Sequence, residues 1–326
     1  MSIRRGFVST LLLAFIIAPG ASFAEDYPAK PVTVVIGYPA GGALDNFARG
    51  IAEALQERLK QPFNVDNRPG ASEMIATQTV ARSIPNGYTL LLSTESPLTT
   101  NQFLYERIAY SPEKDFTPIS LAARVPMVFA ASTNFPANDA KEFIEVAKRR
   151  QKNPVVIASS GVGGITHLPV AMLAYNEGFA WSHAPYRGVP PIMSDLISGR
   201  VDATLGGLAV LAPFILEKKI KGLAVQSDTR IKSLPHVPTF KELGIRDIQA
   251  DFVVMISGPA GLPKNIADRI SSVVAEKLKD TNFQQKYMEP YGLTPIGSTP
   301  EELSNYLASD RERQRERVKL SGAKLD

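Results

Sequence analysis

Hydrophobic and polar positions along this chain switch repeatedly between two periods. Val32-Thr33-Val34-Val35-Ile36 is a β-branched, almost unbroken apolar run, the pattern of a buried strand. It stops at Gly37-Tyr38-Pro39-Ala40-Gly41-Gly42, after which Leu44, Phe47, Ala48, Ile51, Leu55 and Leu59 recur at helical spacing. The unit then repeats. Phe63-Asn64-Val65 reads as a short strand followed by a helix over 75–84, and Pro85-Asn86-Gly87 sets up a third strand over 88–92. An apolar segment, 122–131, leads through Asn138-Asp139 into a helix carrying Phe143, Val146 and Ala147. Val155-Val156-Ile157-Ala158 opens on a second glycine-rich turn, Ser159 to Gly164, with a helix from about 167 to 178. Further strands are predicted at 184–186, 201–205, 223–225 and 252–257, with a helix over 190–197. The C-terminal part is helical: Ile266, Ile270, Val273, Val274 and Leu278 share one face. The last helix opens on Thr299-Pro300-Glu301-Glu302, which has the residues of a capping box with Pro in the first turn.

Alternating β and α elements with one glycine-rich turn per half predict an α/β protein of two lobes, each a mostly parallel sheet flanked by helices. In open α/β sheets ligands bind beyond the carboxyl ends of the strands, where both glycine turns fall. Near the C-terminus Arg311, Arg313, Arg315 and Arg317 alternate with Glu312 and Glu316. This reads as a solvated helix face laced with i,i+3 and i,i+4 pairs rather than a nucleic-acid stripe.

The segment ahead of the first strand changes the picture of where this fold works. Arg4 and Arg5, then the uncharged stretch 7–18, then Ala21-Ser22-Phe23-Ala24 follow the order of a secretory signal peptide over residues 1–24. The apolar stretch is far shorter than the ~20 residues that span a bilayer. Removing it takes away two arginines. The formal charge of +4 on 326 residues then falls to about +2, so bulk charge gives no reason to expect a nucleic-acid partner. With no Cys, disulfide frameworks, thiol catalysis and Cys-ligated metals are excluded. The stability of the exported chain must come from core burial.

The candidate chemistry is that of binding. Tyr38 to Asp45 lacks the Gly-Lys-Ser/Thr of a phosphate loop and the spacing of a dinucleotide fingerprint. What it offers is small residues feeding a helix N-terminus, where free N–H groups favour an anion. Ser159 to His167 repeats that logic with hydroxyls added. Two such loops suit a ligand with two carboxylates. The nucleophile elbow Gly-x-Ser-x-Gly is absent, and the three histidines, at 167, 183 and 236, have no metal-ligand spacing. His167 reads as a capping or packing residue and Asp202 as a solvated carboxylate. A secreted hydrolase of small esters would have only Ser160 with His167 as a nucleophile–base pair. No catalytic residue, cofactor or metal is expected.

Taken in order, several motifs resemble one family. They are Tyr38-Pro39-Ala40-Gly41-Gly42 with Asp45 and Ala48-Arg49; Asn67-Arg68-Pro69-Gly70-Ala71; and Pro85-Asn86-Gly87-Tyr88-Thr89-Leu90-Leu91. Lys114 to Ile119, Ser159-Ser160-Gly161-Val162-Gly163 with Thr166-His167-Leu168, Pro185-Tyr186-Arg187-Gly188 and Leu234 to Thr239 continue the series. Across the whole mature chain the sequence resembles the Bug family, the extracytoplasmic solute receptors of tripartite tricarboxylate transporters.

The resemblance implies a two-lobe class II periplasmic binding protein that closes on a small carboxylate. The grip would come from backbone amides and ordered water at Ala40 to Leu44 and at Ser160 to Gly163 with Thr166, with Tyr38 as a wall and Ser93-Thr94 as polar contacts. The expected ligand-binding set is Tyr38, Pro39, Ala40, Gly41, Gly42, Ala43, Leu44, Asp45, Ser93, Thr94, Glu95, Ser160, Gly161, Val162, Gly163, Thr166, His167, Tyr186, Gly206 and Gly207. Lobe 1 is expected over 25–125 plus 252–326 and lobe 2 over 126–251. The protein would be a periplasmic monomer of a Gram-negative bacterium, with a small organic acid and the transporter's membrane subunits as partners and no nucleic acid. Presentation of ligand to a membrane sensor kinase is the alternative within the same fold.

The sequence departs from the family pattern at Ser72-Glu73-Met74, where glycine is usual, at Leu205-Gly206-Gly207-Leu208, where an acidic residue is common, and at Glu95. A carboxylate at 95 pointing into the cleft would repel a dicarboxylate or pair with an amine or hydroxyls.

Overall fold

The computed structural model describes residues 27–186, 190–246, 248 and 252–325; the predicted leader and its cleavage site lie outside these. Two mixed sheets organise the chain. The first has the order β11-β4-β10-β3-β1-β2, formed by β1 (Val32–Ile36), β2 (Phe63–Asn67), β3 (Thr89–Ser93), β4 (Phe116–Val125), β10 (Phe252–Pro259) and β11 (Thr294–Pro295). The second has the order β7-β6-β8-β5-β9, from β5 (Met127–Ser132), β6 (Val155–Ser159), β7 (Trp181–Pro185), β8 (Ala203–Gly207) and β9 (Ile220–Gln226). Within each sheet the βα-type strands run parallel: β1 with β2 and β3, and β6 with β7 and β8. The strands that carry the chain between sheets pair antiparallel, so each sheet is mixed rather than mostly parallel as the alternation of elements predicts. β10 is antiparallel to both β3 and β4, and β5 is antiparallel to both β8 and β9.

The reason lies at Pro126. The sequence pattern suggests one apolar segment over 122–131, but β4 ends at Val125 in the first sheet and β5 starts at Met127 in the second. Proline has no N–H to continue a ladder, so the strand breaks there and its two halves join different sheets. The Pro126 carbonyl is still used, accepting from the N–H of Leu208. The return crossing ends at Phe252, which pairs with Val125 and packs against the core of both sheets.

The first βα unit forms as its pattern predicts. Val32, Val34, Val35 and Ile36 are buried in β1, and the helical stripe from Leu44 to Leu59 is buried on α1 (Ala43–Leu59). Gly50 sits mid-helix because the ring of Tyr287 lies where its Cβ would be, 2.6 Å away. The outer helices α8 (Lys264–Lys277) and α10 (Pro300–Ser321) pack on the first sheet, and α10 opens on the expected capping box of Thr299 and Glu302. Among the described residues no helix is long and apolar enough to cross a membrane.

The arginine-rich end of α10 is not a solvated face. Arg317 is 2% exposed and donates to the carbonyl of Ile248, Asp310 and Gln314 are buried, and Arg313 holds Asp310 at 2.9 Å. This face packs on α5 (Leu168–Glu177), a helix of the second sheet, with Val318 and Leu168 in one apolar cluster with Leu104. Arg315 alone among the four behaves as expected, half-exposed beside Glu312.

Candidate functional site

β1 and β3 are parallel neighbours in register from Thr33↔Thr89 to Ile36↔Leu92, so the segments leaving their carboxyl ends emerge side by side. From β1 comes Gly37 to Gly42; from β3 come Thr94, Glu95 and a wide π-helical turn, Ser96–Thr100. Gly41 adopts φ +85, and residues 39–43 are exposed. Gly42 caps α1 with no side-chain bond, leaving the first-turn amides of Ala43, Leu44 and Asp45 without an intrahelical acceptor. One amide of this loop is already engaged. Gly41 N–H donates to Asp45 Oδ2 at 2.8 Å, while Arg49 and Asn67 bind the same carboxylate at 2.9 and 2.8 Å. Burial alone would raise the Asp45 pKa, but these bonds outweigh it and hold the carboxyl below its ordinary value. Asn67 also donates to the Tyr38 carbonyl at 3.0 Å, so this residue, named above only as part of a motif, fixes the loop twice.

The second glycine turn leaves β6 in the other sheet. Its amides are braced internally. Ser160 N–H donates to Thr166 Oγ1 at 2.8 Å, Gly161 N–H to Ser159 Oγ at 3.3 Å, and Gly163 N–H to His167 Nδ1 at 3.1 Å. Gly163 needs to be glycine: it has φ +73, and a Cβ would lie 2.7 Å from the side chain of Leu104. The loop therefore rests on the segment after β3. Between Glu95, Ser96 and Thr100 on one side and Gly163, Ile165, Leu168 and Pro169 on the other, with Gln314 at the edge, lies a cavity of about 10 Å³, room for roughly one water.

His167 is a bracing residue, as its position suggests, and stacks on His183 at 3.8 Å. Burial, with His183 beside it, drives its pKa down to about 4, so it is neutral and free to accept from Gly163. The Ser160–His167 pair that a hydrolase would need does not form, since Ser160 Oγ bonds Thr166 Oγ1 at 2.9 Å. No spacing in the chain announces the contact of Ser159 Oγ with His183 Nε2 at 2.6 Å. Ser159 is buried, its hydroxyl also contacts the Gly161 carbonyl, and among the described residues no carboxylate orients His183, so the contact is a strut. Among the same residues no group of three His, Asp or Glu is arranged to hold a metal ion.

The other members of the expected set are engaged within the fold. Tyr186 donates to Asp195 Oδ2 at 2.7 Å, which raises its pKa, and packs on a core cluster of the second sheet. Gly206 and Gly207 close β8, pairing with Val128 and Met127 at the crossing strand. Asp202 is half-buried and structural rather than simply solvated: it accepts from Val156 N–H at 2.8 Å and from Arg150 at 3.1 Å, joining β6 to the start of β8. Ser93 Oγ is buried and has no hydrogen-bond partner among the described residues.

The buried carboxylates are the feature that residue spacing could not place. Glu95 is 2% exposed and does not simply face the loops. Its Oε2 accepts from Val253 N–H at 3.3 Å, beside the crossing between sheets. Burial, then its neighbours Asp310 and Glu73, raise its pKa to about 8. Glu73 reaches the carboxyl end of β3. It accepts from Thr94 N–H at 3.1 Å and from the Thr94 hydroxyl, with the Tyr38 hydroxyl as a third polar neighbour, and burial raises its pKa to about 7. Burial and these two carboxylates in turn push the Tyr38 phenol well above its ordinary value.

Residues 47–322 match the model of the tripartite tricarboxylate transporter family receptor. This chain belongs to that family. It is 31% identical over 303 residues to the protein BugT of Bordetella pertussis, covering 93% of this chain and 92% of the other. Among solved structures it is similar to an R. palustris protein solved with adipate (30% identity, TM-score 0.76, 92% of this chain and 100% of the other). It is also similar to MatC of Rhodopseudomonas palustris with bound malate (26% identity, TM-score 0.71, 90% of this chain and 100% of the other). The Bug resemblance and the two-sheet binding-protein architecture read from the sequence are thereby borne out, and the role is that of a binding receptor.

Proposed function

We propose that this receptor works in the periplasm, taking up a small organic acid between its two sheets and passing it to the membrane subunits of a tripartite tricarboxylate transporter. One body would be residues 25–125 plus 252–326 and the other 126–251, hinged where Pro126 and Phe252 carry the chain across. The ligand-binding residues would come from Tyr38 to Asp45, from Ser93 to Glu95, and from Ser160 to His167. The observation that carries this reading is the pairing of two strand-to-helix glycine turns at carboxyl ends of different sheets, one with first-turn amides that have no intrahelical acceptor, the other seated on the segment after β3. Relatives solved with adipate and malate support small carboxylates as the ligand class. A bound acid would use amides directly or through water, which is nearly as favourable.

The test is a thermal-shift screen of the leaderless protein against mono-, di- and tricarboxylates and amino acids. An acid present at 100 times its Kd stabilises the folded state by about 2.7 kcal/mol, a readily measured rise in Tm. Absence of a shift from every acid at millimolar concentration would overturn the reading.

A further inference from the structure

The chain enters the site by an unusual path. Gly70 has φ +124, and the three residues that follow, none of them glycine, are all left-handed: Ala71 at +47, Ser72 at +49 and Glu73 at +69. Side chains rarely adopt this region, and a run of three persists only where surrounding contacts hold it. Those contacts are present: Asn101 donates to the Ser72 carbonyl at 2.9 Å, and Ser72 Oγ meets the Tyr105 hydroxyl at 2.8 Å. The path carries Glu73 directly over Gly37, where a Cβ would stand 2.6 Å from that of Glu73. Its carboxylate, 5% exposed, comes to rest on Thr94 N–H, Thr94 Oγ1 and the hydroxyl of Tyr38. Among the described residues no Lys, Arg or His ion-pairs with it. These are the donors that a bound acid's own carboxylate would seek at the end of β3, and a buried carboxyl with no cation beside it is an expensive occupant of a position that glycine would fill without strain.

We propose that Glu73 is a specificity-determining residue, a resident carboxylate that fills the first sheet's carboxylate seat. The ligand is accordingly a monocarboxylate whose other end presents a hydrogen-bond donor, hydroxyl or ammonium, to Glu73. The inference rests on the receptor reading above and narrows it. A second ligand carboxylate finds the donors taken and, above pH 7 where Glu73 is mostly ionised, meets like charge. A hydroxyl or ammonium finds an acceptor.

The experiment compares wild type, Glu73→Gly and Glu73→Gln by calorimetric titration with acids matched in length and different only at the far end. The probes are succinate, 4-hydroxybutyrate and 4-aminobutyrate, and the six-carbon set adipate, 6-hydroxyhexanoate and 6-aminohexanoate. Wild type should bind a hydroxy or amino acid at least tenfold more tightly than the dicarboxylate of equal length. Glu73→Gly, with the donors released and glycine at a φ it favours, should reverse that order. Glu73→Gln keeps shape and removes charge, so it should lose preference for the amine and keep the hydroxyl, which tells the two donor types apart. If wild type binds a dicarboxylate as tightly as Glu73→Gly does, the assignment of Glu73 is overturned while the receptor reading stands. If none of the three proteins binds any probe, the receptor reading for such acids fails and the inference with it.

Discussion

Replacing Glu95 with glutamine should change how stability depends on pH more than it changes stability itself. Glu95 is buried, accepts a backbone bond from Val253, and has Asp310 and Glu73 as acidic neighbours. Its ordinary value of 4.5 is raised to about 8 in the fold. Between those values the folded chain keeps a proton that the unfolded chain gives up, so stability falls as pH rises from 4.5 to 8 and then levels off. At ~1.4 kcal/mol per pH unit the full fall amounts to about 5 kcal/mol. A glutamine side chain is neutral throughout this range, and its carbonyl can still accept from Val253. The Glu95→Gln variant should therefore match wild type near pH 4.5 and exceed it by up to about 5 kcal/mol at pH 8.5. A slope from Glu73, raised to about 7, should remain in the variant below that pH. Urea unfolding followed by far-ultraviolet circular dichroism at half-unit steps measures the difference directly. Two stability curves running parallel across pH 4.5–8.5, whatever their offset, would rule this out, because a constant gap means that Glu95 gains no proton on folding.

Two further substitutions probe packing and the first loop. Gly50→Ala places a methyl group 2.6 Å from the Tyr287 ring, so despite alanine's higher helix propensity the variant should lose about 1–3 kcal/mol in urea melts. A more stable variant would mean that the ring moves aside freely. Asp45→Ala leaves the Gly41 amide, Arg49 and Asn67 without their shared acceptor and should cost about 1–3 kcal/mol. Faster hydrogen exchange at Gly41 should accompany it; unchanged exchange there would show that the carboxylate does not hold the loop.

Much of the fold is written in local pattern. β1 and α1 declare themselves because a five-residue β-branched run and a helical stripe share a single glycine turn, and each buries the residues its period selects. Where periodicity fails, so does legibility. The helix α7 (Leu208–Leu216) is apolar almost throughout and carries Pro213 inside, so no polar face marks its period. The strand break at Pro126 was legible in principle, but apolar residues on both sides masked the change of sheet. Arg317 reads as a surface residue by type and spacing, yet the far-off Ile248 carbonyl receives its guanidinium in the interior. The candidate site divides in the same way. The glycine loops are legible because backbone freedom and helix termini are local properties. Glu73 is visible in sequence only as a departure from glycine. Its meaning depends on Gly37, Thr94 and Tyr38, distant positions that folding brings together.

Uptake of an acid between the loop before α1 and the loop after β6 is what the proposed receptor mechanism stands on. The chain has no Cys, so spin labels can be placed uniquely at Ala43→Cys and Val162→Cys, exposed positions at the start of α1 and in the turn after β6. Double electron–electron resonance distances are then recorded with and without an acid that stabilises the protein. That acid should shorten the mean distance and narrow its distribution, as a hinge closing on ligand requires. An unchanged distribution at saturating acid would place binding elsewhere and contradict uptake between the loops.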